Sequence, residues 1–256
     1  MRRWVATAAA ALLSVSIAGC GSEGAGSVSG SEETTLTVYA ASSLTDTFGE
    51  LGKRFEKSHE GVSVTFNFAG SSDLVAQLQQ GAPADVFASA DPENMDKAVA
   101  DDLIEGEVVN FASNTLQIAV PPDNPGNVSS LQDLVKPGLN VVVCAPEVPC
   151  GSASQKVEKA GGADIEPVSE EQAVTDVLAK VTTGQADAGL VYVTDVIAAG
   201  DDVRGVKFPE ASSAANVYPI APLKDSENPE LAQAFVDLVT SQEGRTVLQD
   251  AGFARP

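Results

Sequence analysis

The chain has 256 residues, 43% of them hydrophobic, which is enough for one large domain or two smaller lobes with a packed core. Its 36 acidic residues outnumber its 15 Lys and Arg residues, so the formal net charge is −21. This charge argues against nucleic acid or an anionic membrane surface as a binding partner. A small anion stays compatible with it, because the dipoles nearest a site govern anion binding more than the distant total charge does.

The N-terminal segment has the layout of an export signal. A basic start precedes a short apolar stretch, and small residues precede Cys20. The apolar stretch is too short for a membrane span, and the tetrad "IAGC" at 17–20 resembles the lipobox of bacterial lipoproteins. We therefore predict a lipoprotein signal peptide over 1–19, lipidation of Cys20, and a flexible Gly/Ser tether over 20–33. A signal peptide without lipidation and a buried helix are the alternatives.

From residue 34 onward, strand-like and helix-like segments alternate, which predicts an α/β fold with parallel strands and helices on both faces. The first predicted set has strands at 36–41, 62–68 and 85–89 and helices at 44–57, 72–80 and 92–101, the last begun by Asp91 as cap and Pro92. The second set has a strand at 115–121, segments at 130–135 and 140–145, helices near 152–160 and 172–183, and a strand at 188–193. The C-terminal part has an apolar run at 216–223 and a long amphipathic segment at 228–253. Two lobes connected by strands and one large sheet both fit this order.

The cysteines that follow Cys20 form an even pair. Cys144 and Cys150 lie in "CAPEVPCG", and an exported protein meets oxidising surroundings. We predict a disulfide that closes a small loop, with two free thiols in a Pro-rich turn as the alternative. A metal site has weaker support, because the one histidine of the sequence, His59, lies in the polar segment "KSHEG".

Two serine pairs follow predicted strands and precede predicted helices. Ser43 is followed three residues later by Asp46, a near match to a capping box, so the simplest interpretation is a helix cap. The pattern recurs at Ser71, however, and the carboxyl ends of strands line the ligand crevice of open α/β sheets. Two neighbouring helix N-termini, each with a hydroxyl and free amides, also make an anion site.

Four segments in this order carry a family resemblance: "VYAASSLTDTF", "FNFAGSSDLVAQLQQGAPADVFASAD", "APEVPCG" and "AGLVYVTD". Over about 36–254 the chain resembles the substrate-binding protein of bacterial molybdate ABC transporters, and "GAPADVFASA" is the most specific match. The resemblance implies a two-lobed periplasmic-binding-protein fold of type II, in which each lobe is a mainly parallel sheet flanked by helices and the ligand lies in the cleft. The implied lobes are 34–113 with 217–256, and 114–216.

The resemblance also implies the ligand contacts. Ser43 and Ser71 would bind the oxyanion through hydroxyl and backbone amide, Cys150 and Val174 through backbone N–H groups, and Tyr192 through its hydroxyl. Cys150 stands where the family often has alanine, which leaves a backbone contact intact. On pattern alone, Tyr192 would be a core or sheet-edge tyrosine and Val174 an ordinary helix residue.

The implied function is that of an exported lipoprotein, periplasmic or anchored to the outer face of the cytoplasmic membrane through its lipid. It would bind molybdate or tungstate as a monomer and deliver the oxyanion to the membrane permease, with no cofactor, no catalytic step and no direct metal ligand. Molybdate is a dianion without protons at neutral pH, so neutral hydrogen-bond donors suffice for it, whereas phosphate keeps a proton that faces only donors.

Two alternative functions remain at this point. The nearer one is a receptor for sulfate, thiosulfate or another oxyanion. The remote one is an exported serine hydrolase, which would need a base, and His59 in its polar segment gives a Ser-His-Asp arrangement little support. Asp85 in "PADVF" is interpreted as a structural residue at a strand start rather than as a catalytic carboxylate.

Overall fold

Two five-stranded sheets with helices packed around them make up the described part of the protein. The computed structural model describes residues 33–256, so the predicted signal peptide, the lipidation site Cys20 and the tether lie outside the described residues. The strands are β1 (Thr34–Ala41), β2 (Val62–Ala69), β3 (Val86–Ala88), β4 (Val109–Asn114), β5 (Leu116–Val120), β6 (Val141–Cys144), β7 (Ser169–Glu171), β8 (Ala188–Tyr192), β9 (Arg204–Val206) and β10 (Asn216–Pro222).

The helices alternate with these strands along the chain. The α-helices are α1 (Thr45–Ser58), α2 (Ser71–Gln79), α3 (Pro92–Ala100), α4 (Pro149–Gly161), α5 (Val174–Thr182), α6 (Val193–Ala199), α7 (Pro229–Thr240) and α8 (Gln242–Asp250). Short 3₁₀ helices lie at Ser42–Leu44, Leu131–Val135, Gly200–Asp202 and Pro209–Ala214. Within residues 33–256, no helix combines the length and the apolar character that a membrane crossing requires.

Both sheets are mixed, and each contains one reversed strand. The first has the order β2-β1-β3-β10-β4, in which β1 pairs in parallel with β2 and β3, and β10 pairs antiparallel with β3 and β4. The second has the order β7-β6-β8-β5-β9, with β6 parallel to β7 and β8, and β5 antiparallel to β8 and β9. The predicted α/β class with two sheets is confirmed, and the single large sheet is wrong.

The chain passes between the sheets at two places. It leaves the first sheet after β4 and enters the second at β5, with Thr115 between them, and it returns between β9 and β10. Asn114 and Asn216 are direct partners in the ladder of β4 and β10, so the two crossings lie side by side. The lobe boundaries given above remain a prediction.

The core of the first sheet is aromatic because α1 buries one face. Phe48, Leu51 and Phe55 recur at helical spacing and are buried, and the rings of Phe48 and Phe55 lie 5.8 and 5.5 Å from that of Phe235 in α7. Edge-on aromatic pairs of this kind add about 0.5–1.5 kcal/mol beyond their buried area. The second sheet has a mainly aliphatic core instead, with β-branched residues on its central strands.

Some element boundaries differ from the sequence predictions. Strand β4 was missed, because its sequence "VNFASN" mixes polar and apolar residues. The amphipathic segment 228–253 forms two helices, since the hydroxyl of Ser241 accepts a hydrogen bond from the N–H of Gly244 at 3.1 Å and caps a new helix. The predicted cap of α3 is confirmed, because the carboxylate of Asp91 accepts a hydrogen bond from the N–H of Asn94 at 2.9 Å.

Asp85, which precedes β3, forms hydrogen bonds with β1 and with the loop that precedes α7. Its side chain is buried, one carboxylate oxygen accepts from the N–H of Thr37 at 2.7 Å, and the other accepts from the hydroxyl of Ser226. A buried carboxylate whose oxygens both have partners joins β1 to the loop that precedes α7. This geometry supports the structural interpretation of Asp85.

Replacing Asp85 by alanine should lower the free energy of unfolding by about 1–3 kcal/mol, because the N–H of Thr37 and the hydroxyl of Ser226 lose their acceptor in a partly buried place. Urea unfolding followed by circular dichroism measures this change. Glu107→Ala, at an exposed position, is the matched control and should leave the midpoint unchanged. An Asp85→Ala midpoint equal to the wild-type midpoint would contradict the structural role.

Candidate anion-binding site

The five residues predicted to bind the ligand line one small cavity. Ser43, Ser71, Cys150, Val174 and Tyr192 are all on its wall, together with Ala41, Ser42, Ala69, Gly70, Ala90, Val148 and Pro149. The cavity has a volume of about 10 Å³, roughly the space of one water molecule and far below the roughly 300 Å³ at which pockets for drug-sized molecules begin. It therefore suits a small ion rather than a sugar or a peptide. The roles of the five residues as ligand contacts remain predictions.

Each of the five residues ends a parallel strand or follows it closely. Ser43 and Ser71 follow β1 and β2 in the first sheet, Cys150 and Val174 follow β6 and β7 in the second, and Tyr192 is the last residue of β8. Parallel strands present their carboxyl ends at one edge of a sheet. The two edges thus supply the two walls of the cavity.

Helices begin at this cavity from both sheets. Ser71 and Val174 are the first residues of α2 and α5, and Cys150 is the second residue of α4. The N–H groups of a first helical turn have no partner within the helix, and the helix dipole places partial positive charge there. Backbone donors from three α-helices therefore converge where an anion would lie.

The cap interpretation of the serines is wrong. A 3₁₀ turn at Ser42–Leu44 precedes α1, so the residue in the N-cap position is Leu44, and no capping bond forms between Ser43 and Asp46. The hydroxyl of Ser43 instead shares a hydrogen bond of 3.0 Å with the hydroxyl of Tyr218. At the second junction Gly70 is the N-cap residue, and the hydroxyl of Ser71 accepts from the N–H of Ala90 at 3.0 Å. Neither hydroxyl is used to cap a helix.

Sequence reasoning missed two buried residues behind the site, Asn216 and Tyr218. The Nδ2 of Asn216 donates to the hydroxyl of Tyr192 at 2.7 Å, and Tyr218 bonds to Ser43. Both missed residues lie on β10 two positions apart, which places them on one face of the strand. Their spacing of two residues in a strand was the signal available in the sequence. It cannot show which residues from other parts of the chain this face contacts.

The tyrosine hydroxyls keep their protons. Both Tyr192 and Tyr218 are fully buried, and burial raises the pKa of each hydroxyl well above its ordinary value. A protonated hydroxyl can donate a hydrogen bond to an anion. The residues that line the cavity carry no charged side chain, so the donors of this site are neutral.

Asp195 is the carboxyl group that lies behind Tyr192. It is buried and accepts from the backbone N–H of Tyr192 at 2.8 Å. Burial raises the pKa of Asp195, the hydrogen bond from the N–H of Tyr192 lowers it, and the nearby charge of Asp46 raises it, so that the pKa is about 7. Near neutral pH much of this carboxyl is therefore protonated, which limits negative charge close to the cavity.

A disulfide fixes the turn that carries Cys150. Cys144 and Cys150 are joined with a Cα–Cα distance of 5.6 Å, so the end of β6 is tied to the start of α4. The backbone there is tightly packed, since a Cβ at Gly151 would lie 1.8 Å from the carbonyl oxygen of Ala145. Across the cavity, a Cβ at Gly70 would lie 2.1 Å from the carbonyl oxygen of Gln172, so the two walls approach each other backbone to backbone.

The geometry separates His59 from Ser43. His59 follows the C-terminal end of the 14-residue helix α1, whereas Ser43 precedes that helix, so about 20 Å separates them along its axis. Within residues 33–256, no cluster of three or more His, Cys, Asp or Glu side chains is placed to hold a metal ion.

Known proteins match the chain along nearly its whole length. Residues 36–254 match a family described as bacterial extracellular solute-binding protein. The molybdate-binding protein ModA of Mycobacterium tuberculosis is 48% identical over 262 residues, covering 99% of this chain and 100% of the relative. The Escherichia coli protein of the same name is 32% identical over 270 residues, with 98% of each chain covered. The periplasmic molybdate-binding protein of Azotobacter vinelandii shares the fold, with a TM-score of 0.75 at 23% identity over 86% of this chain and 99% of that chain.

Asp195→Asn should change how stability depends on pH. With a folded-state pKa of about 7, Asp195 contributes stability that is present below its unfolded pKa near 4 and is lost as pH rises through 7, by at most about 4 kcal/mol. The variant lacks this titration. The difference in free energy of unfolding, variant minus wild type, should therefore be larger at pH 7.5 than at pH 4.5. Urea unfolding at both pH values tests this, with exposed Asp123→Asn as control. Parallel pH profiles would contradict the assignment.

Removal of the disulfide should destabilise the protein. The closed loop is short, with a sequence separation of 6, so chain entropy gives a loss of about 2 kcal/mol in the free energy of unfolding. The variant with both Cys144→Ala and Cys150→Ala should melt below the wild type, and a reductant should lower the Tm of the wild type only. Equal melting of the two proteins without reductant would contradict a stabilising disulfide.

Proposed function

The chain belongs to the bacterial extracellular solute-binding proteins, and from this premise we propose that it captures molybdate outside the cytoplasmic membrane and hands it to an ABC transporter. Two relatives that match nearly all of the chain are molybdate-binding proteins. The observation that carries the proposal is the convergence of neutral donors from both sheets on one small cavity. The protein binds and releases its ligand without a chemical step.

The donor set matches the chemistry of molybdate. Its four oxygens carry no proton at neutral pH and can all accept hydrogen bonds. In this proposal three hydroxyls and the N–H groups of four residues bind the oxyanion, and they come from five residues that line the cavity: Ser43, Ser71, Cys150, Val174 and Tyr192. Each hydrogen bond to a charged partner contributes about 1.5–3 kcal/mol. Six or seven of them can outweigh the desolvation of the dianion and reach about −8 kcal/mol, which corresponds to micromolar affinity or better.

The proposed ligand contacts come from both sheets, which suggests how the protein would capture the oxyanion and close around it. Two of the five residues come from the first sheet and three from the second, so the oxyanion binds most tightly when the two walls are together. We take the lobes to be 34–113 with 217–256 and 114–216, hinged at the two crossings between the sheets. In this proposal Cys20 carries the lipid anchor, residues 21–33 form the tether, and the protein delivers its ligand to the permease as a monomer.

Selectivity has two parts. Phosphate retains a proton at neutral pH and would place it against a donor, so the site should reject it. Sulfate has the same acceptor pattern as molybdate in a smaller tetrahedron, so the size of the cavity must separate these two ions. Tungstate is nearly the same size as molybdate and should bind as well.

Calorimetric titration of the purified protein should show one-to-one binding of molybdate and tungstate, with much weaker sulfate and phosphate. Ser43→Ala and Ser71→Ala should each weaken molybdate binding by about 10-fold to 150-fold, because each removes a hydrogen bond to a charged ligand. Ser212→Ala, at an exposed serine that does not line the cavity, is the control and should bind as the wild type does.

Each other outcome has a definite meaning. A preference for sulfate would keep the anion site and assign the protein to another transport system. No binding of any oxyanion would overturn the proposal. Unchanged affinity in one serine variant would remove that serine from the site.

A further inference from the structure

Asn216 reaches from the first sheet to two groups on the second-sheet wall of the cavity. It is the first residue of β10, and its side chain is buried. Its Nδ2 donates to the hydroxyl of Tyr192 at 2.7 Å and to the carbonyl oxygen of Pro149 at 3.2 Å. Both partners line the cavity, whereas Asn216 stands behind it.

The contact with Pro149 settles which way the amide of Asn216 points. A backbone carbonyl oxygen can only accept a hydrogen bond, so the atom of Asn216 that faces it must be the NH₂ group. The second hydrogen of this group then points at the hydroxyl oxygen of Tyr192. Tyr192 is therefore the acceptor in that bond.

This bond fixes the direction of the Tyr192 proton. The O–H of a phenol lies in the plane of the ring, so its proton has two favoured directions. The hydrogen from Asn216 occupies one side of the oxygen, and the proton of Tyr192 takes the other side. Tyr192 lines the cavity, so a bound anion can accept this proton in competition with the hydroxyl of Tyr218.

Ser71 is held in the same way by a different group. Its hydroxyl oxygen accepts from the backbone N–H of Ala90 at 3.0 Å, and an N–H can only donate. The proton of Ser71 is thereby also left for the cavity. Two of the three site hydroxyls thus receive a hydrogen bond from an obligate donor.

We propose that Asn216 is a positioning residue that locks the Tyr192 hydroxyl as a donor and so removes one acceptor that a protonated oxyanion could use. This inference rests on the proposed function, because it concerns the same cavity. A protonated oxyanion needs one acceptor in the site, and Tyr192 could supply it only by turning its proton away from the cavity. Asn216 blocks that rotation, because its own hydrogen occupies that side of the oxygen.

The test is a double-mutant cycle on affinity. Molybdate and hydrogen phosphate are titrated into the wild type, Asn216→Ala, Tyr192→Phe and the double variant, in mildly alkaline buffer where inorganic phosphate is the monoprotonated dianion. Asn216→Ala should weaken molybdate binding about 10-fold and strengthen phosphate binding, because Tyr192 is then free to rotate. In the Tyr192→Phe background, Asn216→Ala should change neither affinity.

A purely structural role predicts something different. If Asn216 acted by holding Pro149 and the start of α4, its removal would weaken both anions and would do so equally with Phe at position 192. That result would overturn the inference. Asn216→Ser, which is too short to reach Tyr192, serves as a second variant if the alanine variant does not fold. Asn110→Ala, an exposed asparagine on the neighbouring strand β4, is the matched control.

The proposed function and this inference fail in different ways. A wild type that binds neither molybdate nor tungstate removes the proposed function. A wild type that binds molybdate tightly, with Asn216→Ala effects that are the same in both backgrounds, removes the positioning role alone.

Discussion

The whole site depends on one constraint, which is that a small cavity without a charged side chain must offset the desolvation of an anion through neutral donors. Burying an unpaired ion costs several kcal/mol even after relaxation of the protein. A neutral N–H or O–H contributes only a fraction of that, so many donors must point at one place. The fold meets the requirement with helix N-termini, where the N–H groups lack partners and the dipole is positive.

The sheet topology explains why so many donors meet. In each sheet the strands β1, β2 and β3, or β6, β7 and β8, run in parallel, and helices begin just after several of their carboxyl ends. The reversed strands β5 and β10 lie next to these parallel strands and carry the chain between the sheets. Because β10 enters the first sheet beside the cavity, its first residue, Asn216, can hold a hydroxyl of the opposite wall.

Local sequence patterns predict most of the strands and helices of this structure. Features that depend on contacts between residues distant in sequence could not be predicted from them. The alternation of apolar runs and amphipathic segments located most strands and helices, since it depends on periodicity within a few residues. The residues on the cavity wall followed from a family resemblance and from strand ends. The serine caps were wrong because a 3₁₀ turn displaced the start of α1 from Ser43. Asn216 and Tyr218 were missed because their partners, Tyr192 and Ser43, are distant in sequence.

Two kinds of selectivity are expected of the proposed site, one for the protonation state of the oxyanion and one for its size. The hydrogen bonds around the cavity bear on the first kind only. In the proposed site, protonation state is distinguished by the direction of hydroxyl protons, which depends on the hydrogen bonds from Asn216 and from the N–H of Ala90. Ion size would be distinguished by the small residues that line the cavity, such as Ala41, Ala69 and Ala90. A sulfate and a molybdate offer identical acceptors, so donors cannot distinguish them, and a change in wall volume can act on this choice alone.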